Sequence, residues 1–140
     1  MGNALIHAHR RDSPHYGDAQ KRLRDLAEHG ASWAIPWPCI HEFLAVTTNG
    51  RVFDPPSTPA EAVEQVDAWL ESPSLVLLAE SERHWPELRA LVRAGHVSGG
   101  RVHDARIAAL CRQHGVRELW SADRDFSRFS GLRVVNPLLT

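Results

Sequence analysis

The sequence predicts an α/β fold, a three-layer sandwich with helices on both faces of a mostly parallel central sheet. Two observations carry that expectation. Four short apolar segments, at 33–36, 74–79, 116–120 and 132–135, alternate with longer stretches of helical pattern. That is the order of parallel strands joined by crossover helices. The segment 74–79 is also apolar without alternation, as a strand covered on both faces is. At 140 residues the chain has the size of one domain, taken as 1–140. A chain of that length buries roughly two thirds of its unfolded surface and needs no staples.

Residues 3–10 form a short apolar element ending in charge, too short for periodicity to separate helix from strand. Asp12-Ser13-Pro14 reads as a helix start, with Ser13 as cap and Pro14 at the first helical position. Tyr16, Ala19, Leu23, Leu26 and Ala27 then keep helical spacing as far as Gly30. A second helix runs from about Pro38 to Asn49-Gly50, with Ile40, Phe43 and Leu44 on one face. Glu42 lies off that stripe, near the first turn. A loop with Pro55-Pro56 follows. Thr58-Pro59-Ala60-Glu61 then combines a capping box with proline at the first position. It predicts a helix over 59–71 with Val63, Val66, Trp69 and Leu70 inward. A further helix spans 81–94 through Trp85, Leu88, Leu91 and Val92. The loop 95–100 is rich in glycine but lacks phosphate-loop spacing. The helix over 103–114 is closed by Gly115.

Composition excludes several classes of function. A net charge of −1 argues against a general polyanion binder. The charge is uneven, however: from Arg101 onward seven arginines face Asp104, Glu118, Asp123 and Asp125. Arginine suits bidentate phosphate contact, and equally a solvated surface of local ion pairs. Cys39 and Cys111 lack the spacing of a zinc site or redox pair. The chain has no membrane-length apolar run and no secretory signal at its start, so a cytoplasmic location is expected. No serine-hydrolase elbow occurs. His7 and His9 do not share a helix face, and most of the tryptophans are expected inward.

The chemistry lies in acids. Asp104 opens the helix over 103–114, and Asp123 follows the strand that comes after it. In an open α/β sheet both places face the crevice at the carboxyl ends of the strands. With Glu42 they form a candidate set of hard oxygen ligands for a divalent cation. Each alone has a structural explanation: Glu42 and Asp104 as first-turn acids that complement a helix dipole, Asp123 and Asp125 as turn formers.

The pattern His103-Asp104-Ala-Arg-Ile-Ala-Ala-Leu, followed by Leu119-Trp-Ser-Ala-Asp123-Arg-Asp-Phe, resembles a PIN domain. It is most similar to the VapC toxins of bacterial toxin–antitoxin pairs. Asn3-Ala-Leu-Ile-His-Ala-His-Arg, Pro38-Cys-Ile-His-Glu42-Phe and Arg51-Val-Phe extend the likeness over nearly the whole chain. The resemblance implies a Mg²⁺- or Mn²⁺-dependent endoribonuclease, inhibited by a VapB antitoxin and often a homodimer. Glu42, Asp104 and Asp123 then become the catalytic, metal-holding acids, with Asp125 as a less constant neighbour. Asn3 and Ser121 match the polar positions that orient the acids. Arg101, Arg106 and Arg124, together with Arg128, are candidates for RNA phosphate contact.

The sequence departs from the family at one place. The first acid of the family's Asp-x-Asn falls at Met1, and the strand that precedes it, central in the sheet, is absent. An upstream start, a truncated remnant and a different register each account for this. The competing expectation is a non-catalytic PIN-fold module that only binds antitoxin or dimerises.

Overall fold

The computed structural model describes residues 2–28, 33–116, 118–120, 129 and 132–136, with the backbone alone at 2–4. Gly2–His9 is a helix, α1, which settles the ambiguity over 3–10. The next helix, α2, is Tyr16–Glu28 and begins later than Pro14. Ser13 acts ahead of it as a turn: its hydroxyl accepts from the His15 N–H at 3.2 Å and lies 2.6 Å from His7 Nδ1. Gly30 lies outside the described residues. β1 is Trp33–Pro36, and α3, Trp37–Thr47, follows without a loop. Pro36, extended at φ −64° and ψ 137°, makes the junction, and Pro38 occupies the helix's opening turn, where a missing N–H costs nothing.

Helix α4, Pro59–Leu70, carries the expected capping box. The Thr58 hydroxyl accepts from the Glu61 N–H at 3.1 Å, and the Glu61 carboxylate accepts from the Thr58 N–H at 3.0 Å. A Thr58→Ala protein is expected to lose about 1 kcal/mol. An unchanged denaturation midpoint would show that the box contributes nothing.

The buried seam of α4 differs from the one expected. Ala62 and Val66 are buried and Trp69 half-buried, whereas Val63 and Leu70 are exposed. Positions 62, 66 and 69 fall on one helical stripe, and 63 and 70 lie on its flank. β2 is Leu75–Leu78, and Val76 is 51 % exposed, so the strand is not covered on both faces. α5 is His84–Gly95, and Trp85 is 61 % exposed rather than inward. Trp85 precedes the stretch of α5 that packs, Leu88 to Val92.

α6, Arg101–Gln113, buries Ala105 and every residue from Ile107 to Cys111. The alanines at 105, 108 and 109, all 0 % exposed, let its backbone lie close to its neighbours. Gly115, at φ +73°, closes the helix in a conformation that side chains rarely adopt. β3 is Glu118–Trp120 and β4 is Arg133–Val135.

β1 pairs with β2 in parallel register, Trp33 beside Leu75 through Pro36 beside Leu78. β3 pairs in parallel with β4, Glu118 beside Arg133. Both are the crossover pairs expected of an α/β chain. Among the described residues they form two separate pairs instead of one continuous central sheet, and α1 precedes the first strand. A cavity of about 500 Å³ lies between the pairs, lined by Trp33 and Ala34 of β1, Leu119 and Trp120 of β3, and Leu26 and Cys111. Burial, with the neighbouring Cys39 adding to it, pushes the Cys111 thiol up to about 12. The thiol is therefore protonated near neutral pH. Among the described residues no helix is long and apolar enough to cross a membrane.

Candidate active site

Glu42 is the sixth residue of α3, beyond the first turn in which it was expected. The helix-dipole explanation for this acid therefore weakens, since that field fades within one turn. Its neighbours explain its direction. Cys39, Ile40 and Phe43 are buried, which turns positions 41 and 42 to solvent. Among the described residues no arginine or lysine pairs with Glu42.

Asp104 stands in the first turn of α6, half-buried, beside the exposed Arg101, Val102 and His103. Both acids thus ride on helices whose opposite faces are anchored in the core. A carboxylate is the kind of oxygen ligand that a hard divalent cation takes.

Asp123, Asp125, Ser121 and Arg124, with Arg128, lie outside the described residues, as does the Asn3 side chain. Among the described residues no three His, Cys, Asp or Glu side chains converge. Arg106 is committed elsewhere: its Nε donates to Glu80 Oε1 at 2.8 Å. A half-exposed pair of this kind is readily exchanged for another partner.

A second polar constellation was not legible in the sequence. His9 lies with Nε2 3.0 Å from Ser57 Oγ and Nδ1 3.1 Å from Gln65 Oε1. Arg10 donates to both oxygens of Asp12, to the Pro55 carbonyl and to Ser57 Oγ, and its guanidinium lies 4.4 Å over the Phe53 ring. This network lines a cavity of about 840 Å³ together with Arg11, Tyr16 and Glu64. Neither Glu42 nor Asp104 lines it, so this hollow is separate from those two candidate acids. The network ties α1 to α4 and to the loop between α3 and α4. Phe53, under Arg10, belongs to the Arg51-Val-Phe of the sequence.

His7, by contrast, packs edge-on to His15 with ring centroids 5.2 Å apart. Burial, and then the charge of His15, holds its imidazole below the ordinary value of 6.5. The unfolded chain therefore takes this proton at a higher pH than the fold does. The His7 contribution to stability is complete above about 6.5 and is lost as the pH falls through the depressed native value. The melting temperature is expected to fall between pH 7 and pH 5 more steeply in the natural protein than in His7→Asn. Equal slopes would remove His7 from the account.

The fold is a parallel α/β chain with two candidate acids, Glu42 and Asp104, on helices packed into its core. Residues 2–132 match the PIN domain model, and the chain belongs to the PIN-domain family. It is similar to the "VapC ribonuclease Mb2897" of Mycobacterium bovis, 37 % identical over 136 residues, 97 % of this chain and 92 % of that protein. The "Ribonuclease VapC43" of Mycobacterium tuberculosis stands at the same identity and coverage. The "Ribonuclease VapC48" of Mycobacterium tuberculosis is 33 % identical over 96 % of this chain and 93 % of its own.

Proposed function

We propose that this chain is a VapC-like endoribonuclease toxin that cleaves RNA phosphodiester bonds with Mg²⁺ or Mn²⁺. The observation that carries the reading is Glu42, exposed and without a cationic partner among the described residues, in the segment Pro38-Cys-Ile-His-Glu42-Phe that resembles the family's second acid. Glu42 and Asp104 would hold the ion together with Asp123, and Asp125 would stand beside them. When bound, such an ion lowers the pKa of its water and neutralises charge on the phosphodiester. The protein's own part is to hold the carboxylates on packed helices, so that little reorganisation accompanies the reaction. Asn3 and Ser121 would orient the acids, and Arg101, Arg106 and Arg124 would meet backbone phosphates. The names of the similar proteins support a nuclease over the non-catalytic module. A VapB-type antitoxin as inhibitor, a homodimer and a cytoplasmic site of action complete the reading.

The test is cleavage of single-stranded RNA by the purified protein with Mg²⁺ or Mn²⁺, and again after chelation. Cleavage with metal that stops with chelator is the expected result. Cleavage indifferent to chelator would remove the metal. A protein that binds an antitoxin but cuts no RNA with either ion would return the reading to the non-catalytic module.

A further inference from the structure

We propose that Trp37, backed by His41, is a stacking platform for one unpaired base of the RNA, on the helix that carries Glu42. The inference rests on the ribonuclease reading and names a residue that positions its substrate. Trp37 opens α3 directly after β1, and its side chain is 38 % exposed. His41, one turn on, is also exposed, and the two rings lie 6.2 Å apart at 31°. A side chain four positions on lies on the same helix face, so His41 supports the indole from one side. Glu42 is the next residue along. About 100° separates neighbouring side chains on a helix, so the candidate ligand lies round from the aromatic pair, within the same first two turns of α3.

The other tryptophans sharpen the contrast. Trp33 is buried and its indole N–H donates to Ser72 Oγ at 3.1 Å, while that of Trp120 donates to Glu118 Oε1 at 3.0 Å. Among the described residues the Trp37 indole N–H has no such partner. Trp85 is more exposed, but it stands on α5, which carries no candidate acid.

A single strand whose phosphate reaches Glu42 can bring a neighbouring base to Trp37, on the same helix. An aromatic face accepts any unstacked base, because every base has a π-face. The platform therefore adds affinity for single-stranded RNA and little sequence preference of its own.

The experiment measures binding of a short single-stranded RNA in chelator, with single abasic positions placed in turn along the strand. Trp37→Ala is expected to weaken binding by about 5- to 150-fold, the range for loss of one stacked base. Trp37→Phe should recover most of it. One abasic position should weaken binding to the natural protein and make no further difference to Trp37→Ala, a coupling that a merely structural tryptophan does not produce. Natural protein and Trp37→Ala binding the unmodified strand equally would overturn the platform and leave the nuclease reading standing, with the indole assigned to a protein contact. A natural protein that neither binds nor cuts RNA would overturn both.

Discussion

RNA cleavage by an Asp104→Asn protein is expected to fall by more than about 100-fold, since even residues that only support metal ligands cost 10- to 100-fold when changed. Asparagine keeps the shape and removes the charge. One carboxylate oxygen becomes an NH₂, which cannot bind a cation. Asp104 also lies in the first turn of α6, and the loss of its charge there forfeits about 0.3–1 kcal/mol of interaction with the helix dipole. That loss is too small to unfold a protein of ordinary stability. Activity and melting temperature thus separate the two roles: a site residue loses cleavage with a nearly unchanged melt. Glu61→Gln is the matched control. Glu61 likewise stands in the first turn of its helix, α4, and glutamine serves in a capping box. Cleavage by Asp104→Asn equal to that of the control would take Asp104 out of the site. Glu42→Gln should follow Asp104→Asn in direction.

Phe43→Ala is expected to be the most destabilising of the substitutions considered. Phe43 is 0 % exposed, with Trp69 edge-on at 4.8 Å and His9 edge-on at 5.1 Å. It joins α3 to α4 and to the end of α1. Truncating a buried phenylalanine costs about 3–5 kcal/mol through lost transfer energy and the cavity left behind. Whole domains hold only about 5–15 kcal/mol, so the melting temperature should drop by roughly 10–20 °C for a chain of this size. Trp85→Ala removes a larger ring from an exposed site and should move it little. A Phe43→Ala melt within a few degrees of the natural protein would show that the α3–α4 contact is not central to the core. Because Glu42 adjoins Phe43, cleavage should fall with this variant too, and cooling should partly restore it.

Local chemistry was legible in the residues. Thr58 to Glu61 fold back on one another within three positions, so the start of α4 could be read before any contact was known. The Gly115 closure is local for the same reason. The candidate acids Glu42 and Asp104 were likewise found in sequence, and their helices are where the pattern placed them. What lay beyond reach depends on distant partners. Val63 and Leu70 were expected inward on α4, but the seam that α3 covers runs through Ala62, Val66 and Trp69. Helical spacing identifies an apolar sector and leaves its centre open by about one residue, because side chains at neighbouring positions differ by roughly 100°.

What the sequence by itself determined is most of the list of elements, their parallel order and the family, because caps, turns and periodicity act over a few residues. The tertiary structure alone decided that His9 and Arg10 bind Ser57 and Gln65, 47 to 56 positions away. It also decided that Trp37 meets solvent while Trp33 does not, and that the described strands stand as two pairs with a cavity between them. Burial is a property of what the rest of the chain brings to a surface, and no local spacing contains it.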